Sequence, residues 1–135
     1  MSSSSASGVY LLDSSILIRS LRGDGAIRAR LAGTTTLYIP SIALGELYFG
    51  AYGSPTRASA AIKDVDALAT GMTILATDAT TAQIYGRIGN ELKAKGLVLP
   101  ANDLWIAAIG IQYGLTLAAH DAHFDWIDGL AVEQW

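Results

Sequence analysis

The 135-residue sequence contains no cysteine and only two histidines. Without cysteine, the chain has no disulfide framework, no thiolate metal site and no thiol nucleophile. Charged residues make up 16% of the sequence, and they or glycines interrupt every apolar run before it reaches the length of a membrane span. We therefore expect a cytoplasmic protein with no membrane segment, whose 51% hydrophobic content builds one core.

Basic residues are absent from the end of the chain. All nine Lys and Arg lie between Arg19 and Lys95, whereas residues 101–135 contain five acids. The net charge of −3 is unusual for a protein that binds nucleic acid. If four acids bind divalent cations, however, the remaining surface is close to neutral or slightly basic. The charge balance weakens a nuclease interpretation without excluding it.

Apolar strand-like segments alternate with helical segments from Val9 onward. The sequence predicts strands at 9–12, 34–39, 72–76 and 115–119, with a short fifth strand at 130–132. It predicts helices at 16–21, 25–31, 42–52, 56–69, 79–95 and 100–113. This alternation is typical of an α/β fold, here a single domain over residues 9–135 with a parallel sheet covered on both faces. We expect the serine-rich residues 1–8 to form a disordered leader, since they lack the basic and apolar regions of a signal peptide.

Four acidic residues occupy positions that a parallel sheet brings to one edge. Asp13 ends the first strand, and Asp121 follows the fourth strand by two residues. Glu46 lies in the first turns of the helix after the second strand, and Asp103 in the first turn of the helix before the fourth. Ligands of open parallel sheets bind beyond the carboxyl ends of the strands. The four carboxylates are therefore a candidate site.

Each of these acids also has an ordinary structural explanation, as a helix cap, a charge at a helix start, a solvated helix residue or a turn former. Their surroundings favour a functional role. Glu46 and Asp103 lie in apolar segments, and no Lys or Arg lies within five residues of Glu46, Asp103 or Asp121. Clustered carboxylates raise each other's pKa and are costly to bury without a partner. A hard divalent cation, which prefers oxygen ligands, is a partner that resolves this conflict.

The same segments resemble the four motifs of PIN domains. Residues 11–18 (LLDSSILI) and 45–51 (GELYFGA) look like the first and second motifs. Residues 102–108 (NDLWIAA) and 120–124 (HDAHF) look like the third and fourth. In order and spacing, these motifs resemble those of the VapC toxins of bacterial toxin–antitoxin pairs, and the similarity covers residues 9–135.

The resemblance implies a three-layer α/β/α, Rossmann-like PIN fold with a central, mostly parallel sheet of four to five strands, assembled as a homodimer. It implies a toxin that hydrolyses tRNA or another structured RNA and needs one or two Mg²⁺ or Mn²⁺ ions per active site. It also implies that a cognate VapB-type antitoxin inhibits this toxin. By motif position, it assigns Asp13, Glu46, Asp103 and Asp121 to metal binding and catalysis. Ala119 departs from the family, in which Thr or Ser commonly precedes the last motif.

Three arginines are candidates for contact with RNA phosphates. Arg19 and Arg22 follow Asp13 by less than three helical turns, and Arg57 follows the helix that carries Glu46. The alternative for each is a solvated helix face.

The region after the fourth strand contains two histidines and a second candidate acid. A metal-independent ribonuclease needs two imidazoles that face each other across a phosphate. Because His120 and His123 are three residues apart on one turn, we expect a solvated surface for the first and local packing for the second. Asp125 lies about one helical turn beyond Asp121, so we expect Asp121 to be the fourth carboxylate.

Two other functions compete with a nuclease. One is a catalytically silent PIN fold that serves as a binding module, which the retention of all four acids disfavours. The other is a Mg²⁺-dependent phosphotransfer enzyme. A haloacid-dehalogenase-type phosphatase needs an acid where this chain has Ser15, a receiver needs a late Lys where none follows Lys95, and no P-loop is present.

Overall fold

The computed structural model describes residues 8–135, in which strands and helices alternate along the chain. The strands are β1 (Val9–Leu12), β2 (Thr36–Pro40), β3 (Thr73–Leu75), β4 (Thr116–Ala119) and β5 (Val132–Gln134). The α-helices are α1 (Ser14–Leu21), α2 (Gly25–Ala32), α3 (Ser41–Tyr52), α4 (Ala58–Thr70), α5 (Ala79–Ala94) and α6 (Ala101–Tyr113), and a 3-10 helix covers Ala122–Trp126. Of the leader expected at residues 1–8, only Gly8 falls within the described range. No helix in that range is long and apolar enough to cross a membrane.

The five strands form one parallel sheet in the order β3-β2-β1-β4-β5. In the centre of the sheet, Leu11 pairs with Tyr38 on one side and with Leu117 on the other. The chain builds outward from β1 in one direction with β2 and β3, and in the other with β4 and β5. The carboxyl ends of β1 and β4 therefore border the point where the strand order reverses, which is where open α/β sheets bind ligands. The predicted α/β fold is confirmed.

The fifth strand begins two residues later than the sequence predicts. Leu130, expected in the strand, instead packs against α6, since a Cβ built on Gly110 would lie 2.8 Å from Leu130 Cδ1. Pairing with β4 then begins where Val132 meets Leu117. This edge strand ends in polar residues and shows no clear alternation of apolar and polar positions. Its register therefore could not be predicted from the sequence.

Helix α6 is packed into the centre of the protein. Its residues Ile106–Gly110 are buried, as expected for a helix that is apolar all round. Gly110 allows the close approach of the helix to its neighbours, because a Cβ there would also lie 3.6 Å from Leu11 Cδ2 on the central strand. The helix ends at Gly114, whose φ of 63° is left-handed. This packing fixes the first turn of α6, and with it Asp103, relative to β1.

Gly114→Ala should destabilise the protein by about 1–2 kcal/mol, since a Cβ makes the left-handed conformation unfavourable. Gly71 is a matched control, because it ends α4 at a φ of −91° and has open space around the position of a Cβ. Gly71→Ala should be neutral or stabilising by up to about 1 kcal/mol, because it restricts the unfolded chain. Urea unfolding in EDTA at one protein concentration measures both. Equal effects of the two substitutions would show that the left-handed conformation at Gly114 does not matter for stability.

Candidate active site

Asp13 lies between the end of β1 and the start of α1. Its backbone N–H donates to Ala118 O of β4 at 3.0 Å, and its Oδ2 accepts hydrogen bonds from the backbone N (3.3 Å) and the hydroxyl (2.6 Å) of Ser15. The residue is only 4% exposed, and its Oδ1 is buried with no hydrogen-bond partner among the described residues. Burial raises the pKa of the Asp13 carboxyl, the Ser15 hydroxyl opposes this, and the charge of Asp103 raises the pKa further.

Glu46 faces the same place from the second turn of α3. The side chains of Ser14 and Asn102 hydrogen-bond to it, but its Oε1 is buried and has no partner in the described part of the chain. Burial raises the pKa of Glu46, the bond from Ser14 lowers it, and the charges of Asp13 and Asp103 raise it. The structure therefore brings Asp13, Glu46 and Asp103 close enough to influence one another, as their positions in the sequence predict.

Asp121 joins this group through a histidine. The Nε2 of His123 lies 3.0 Å from Asp103 Oδ2, and its Nδ1 lies 2.6 Å from Asp121 Oδ1. Asp121 caps the 3-10 helix by accepting the backbone N–H of His123 at 3.2 Å, and its side chain is 51% exposed. Asp125, the competing acid, is exposed and makes no hydrogen bond or ion pair within residues 8–135.

The expectation that His123 serves local packing is incomplete. Its ring does contact Phe124 and Trp126, with centroid distances of 5.2 and 5.8 Å. Its two nitrogens, however, face two of the four acids, and sequence reasoning missed this link. The sequence signal that could have revealed this link is the position of His123, two residues after Asp121. His120 is exposed, as expected, and its Nδ1 lies 3.1 Å from the Arg19 guanidinium and 3.2 Å from Trp135 O.

Arg19 is engaged by contacts within the chain. Its Nε and Nη2 donate to Asp24 at 3.1 and 2.8 Å, and its Nη1 donates to Trp135 O at 2.9 Å. These contacts tie α1 to the start of α2 and to the residue after β5. They leave little of the guanidinium for an RNA phosphate.

Arg22 and Arg57 lie nearer to open space. Together with Glu46 they line a cleft of about 340 Å³ between α1, α3 and α4. Arg22 is exposed and has no ion pair in the described range, and Arg57 lies 3.9 Å from Asp64 with 68% of its side chain exposed. The structure thus places two of the three candidate arginines in a cleft that Glu46 also lines.

The donor chemistry of this pocket fits a divalent cation. Asp13 Oδ1 and Glu46 Oε1 are buried oxygens without partners, and no Lys or Arg pairs with these acids in the part of the chain that the structure describes. A buried, unpaired carboxylate oxygen is costly, and a hard cation satisfies it. Within residues 8–135, no three His, Asp or Glu side chains already form a coordination group. Asp103 and Asp121 each direct one oxygen toward His123, so their other oxygens are the ones available to a cation.

Comparison with known proteins identifies the family. The PIN domain profile matches residues 10–130. Ribonuclease VapC2 of Rickettsia felis is 30% identical over 132 residues, which cover 94% of this chain and 98% of that protein. A Ribonuclease VapC2 of Haemophilus influenzae is 32% identical over 131 residues, which cover 93% of this chain and 97% of that protein.

Solved structures agree with these relatives. The structure of DNA-bound VapBC from Salmonella typhimurium matches with a TM-score of 0.88 and 27% identity, covering 95% of this chain and 98% of that one. VapBC2 from Rickettsia felis, bound to a fragment of promoter DNA, matches with a TM-score of 0.87 and 27% identity, covering 94% and 98%. With its acids at the carboxyl edge of a parallel sheet, the chain belongs to the PIN-domain family and, within it, to the VapC group.

Proposed function

We propose that this chain is the toxin ribonuclease of a toxin–antitoxin pair and that it hydrolyses RNA at the pocket formed by Asp13, Glu46 and Asp103. One observation carries the proposal: Asp13 Oδ1 and Glu46 Oε1 are buried, without partners among residues 8–135, at the edge of the sheet where ligands bind. The name Ribonuclease VapC, given to relatives that cover nearly the whole chain, supports the same activity.

The cofactor that we propose is Mg²⁺ or Mn²⁺, with one or two ions per site. When bound, such a cation orients the scissile phosphate, lowers the pKa of the attacking water and stabilises the charge that develops. Asp13 and Asp103 would be direct ligands, and Asp121 would complete the set from the N-cap of the 3-10 helix. Because Ser15 occupies Oδ2 of Asp13, Oδ1 is the oxygen that this residue would present to the ion.

Glu46 is suited to a second role. Its raised pKa, caused mainly by burial, moves it toward the range in which a carboxylate accepts a proton from an attacking water. Ser14 and Asn102 would hold it in position for this transfer. Because water rather than the ribose 2′-hydroxyl attacks, the products would carry 5′-phosphate and 3′-hydroxyl ends.

The RNA strand would enter along the cleft that Arg22 and Arg57 line with Glu46. Both guanidinium groups are exposed, and neither is held in a close ion pair, so each can contact a phosphate. Arg19 would support α1 rather than bind RNA, because Asp24 and Trp135 already engage it. We propose tRNA or another structured RNA as the substrate, on the strength of the family resemblance.

The proposed partners are a cognate VapB-type antitoxin and a second copy of the chain in a homodimer, in the cytoplasm. Similar solved structures are VapBC complexes, which supports the antitoxin. On α3, Phe49 is 85% exposed and Tyr52 is 70% exposed. Phe49 lines an open pocket together with Glu46. Exposed aromatic residues beside a site are typical of a surface that a protein partner covers.

The nuclease proposal is tested by incubating the protein with total tRNA. Cleavage should require Mg²⁺ or Mn²⁺, should stop in EDTA and should yield 5′-phosphate and 3′-hydroxyl ends. Asp13→Asn should lower the rate by more than about 100-fold, the upper range for loss of a residue that only supports a ligand. Asp121→Asn should also lower it, whereas the matched control Asp125→Asn should retain activity, since Asp125 contacts none of the acids.

Undiminished cleavage in EDTA, or 2′,3′-cyclic phosphate ends, would contradict the mechanism. No cleavage with either metal, together with intact folding, would favour a silent PIN-fold binding module. A larger defect in Asp125→Asn than in Asp121→Asn would show that Asp125 is the fourth carboxylate.

The RNA path is tested by Arg22→Gln and Arg57→Gln. Each substitution should raise KM more than it lowers kcat, and should reduce the slope of log KM against log salt concentration by about 0.7, the value for one phosphate contact on a single strand. Arg87→Gln is the control, because Arg87 is an exposed arginine that pairs with Glu91 on α5 and lies outside the cleft. If the three variants have the same salt slope, the cleft is not the path of the RNA.

A further inference from the structure

The imidazole ring of His123 lies between two acids of the pocket. Its Nε2 is 3.0 Å from Asp103 Oδ2 and its Nδ1 is 2.6 Å from Asp121 Oδ1. Asp103 comes from α6 and Asp121 from the turn after β4, so the ring joins two separate elements of the fold. In residues 8–135, no other side chain hydrogen-bonds to either of these carboxylates.

Packing holds the ring in this place. The backbone N–H of His123 donates to Asp121 Oδ1 at 3.2 Å, and the ring contacts Phe124, which is 1% exposed. Trp126 lies against the ring with a centroid distance of 5.8 Å. The side chain of His123 is only 22% exposed. The two nitrogens are therefore aimed by the 3-10 helix rather than free to turn toward solvent.

His123 contacts one of the two oxygens of each carboxylate. His123 engages Asp103 Oδ2 and Asp121 Oδ1, while Asp103 Oδ1 and Asp121 Oδ2 have no hydrogen bond within the described range. Two carboxylates that converge on one place repel each other, and a hydrogen-bonding group between them opposes that repulsion. In metal sites, ligand carboxylates are ordinarily held by such supporting hydrogen bonds.

We propose that His123 is a positioning residue that holds Asp103 and Asp121 together, so that the free oxygen of each can bind the same cation. This inference rests on the proposed metal-dependent function. The ring holds Asp103 through Nε2, and the backbone N–H of the same residue holds Asp121 Oδ1. Its contribution is to fix the geometry of two ligands from different elements.

The test is the affinity for Mn²⁺ without RNA, measured by electron paramagnetic resonance of the free ion. His123→Phe keeps a ring for packing and the backbone bond to Asp121, but it removes the hydrogen bond between Nε2 and Asp103, and it should weaken Mn²⁺ binding by about 10- to 100-fold. His123→Gln carries its amide near the position of Nε2 and can reach Asp103, so its Mn²⁺ affinity should lie between those of the wild type and His123→Phe. His123→Asn carries its amide near Nδ1, away from Asp103, and should bind Mn²⁺ as weakly as His123→Phe.

His120→Phe is the matched control, since His120 contacts Arg19 and Trp135 but none of the acids. It should leave Mn²⁺ affinity unchanged. Thermal unfolding in EDTA checks that every variant folds, and if His123→Phe does not, the two amide variants decide the question against the wild type.

The outcomes separate the two proposals. A wild type that does not bind Mn²⁺ overturns the proposed metal-dependent function, and the role of His123 with it. A wild type that binds Mn²⁺ while His123→Phe binds equally well or more tightly overturns the role of His123 alone. A His123→Gln variant as weak as His123→Phe would also overturn it, because ring packing rather than the hydrogen bond to Asp103 would then set the affinity. Equal Mn²⁺ affinities of the two amide variants, if His123→Phe does not fold, would overturn it too.

Discussion

The burial of the Asp13 carboxylate at the end of β1 is the constraint on which the rest of the site depends. Asp13 is 4% exposed, one of its oxygens has no partner in the described part of the chain, and Glu46 and Asp103 add negative charge nearby. Burial raises the pKa of Asp13 and of Glu46 because it removes water from their charged forms, and no Lys or Arg within residues 8–135 pairs with either acid to offset this. The arrangement favours a compensating positive charge, for which the proposed divalent cation is suited.

The architecture offsets part of this cost before any cation binds. Asp13 caps the N-terminus of α1, and Asp103 lies in the first turn of α6. The positive ends of these two helix dipoles stabilise nearby negative charge. Ser14, Ser15 and Asn102 add hydrogen bonds to the acids. Within the described residues, these contributions leave Asp13 Oδ1 and Glu46 Oε1 without a hydrogen bond, which is the basis of the proposed cation site.

The sequence predicts the parallel sheet and the grouping of Asp13, Glu46 and Asp103, because these depend on local patterns. Apolar segments identify the strands, and a parallel sheet brings the residues after each strand to one edge. The proposed role of His123 depends instead on a contact with Asp103, 20 positions away, that no local pattern encodes. The engagement of Arg19 depends on Trp135, 116 positions away. The packing of Leu130 near Gly110, just before β5, is also a tertiary contact.

The central claim is that the buried Asp13 carboxylate serves to bind a cation and does not stabilise the fold. The free energy of unfolding of Asp13→Asn tests this claim most directly. Asn retains an oxygen that can cap α1, so the substitution removes mainly the charge. Because the pKa of Asp13 is raised in the folded protein, the folded wild type binds a proton more tightly than the unfolded chain. The wild type therefore loses stability as pH rises from the ordinary value of 3.8 through the folded pKa.

In EDTA at pH 8, Asp13→Asn should be more stable than the wild type, and the difference should shrink as the pH falls toward 4. Excess Mg²⁺ should stabilise the wild type more than the variant. A variant that is less stable than the wild type at pH 8 in EDTA would contradict the claim, because the Asp13 carboxylate would then be a stabilising helix cap.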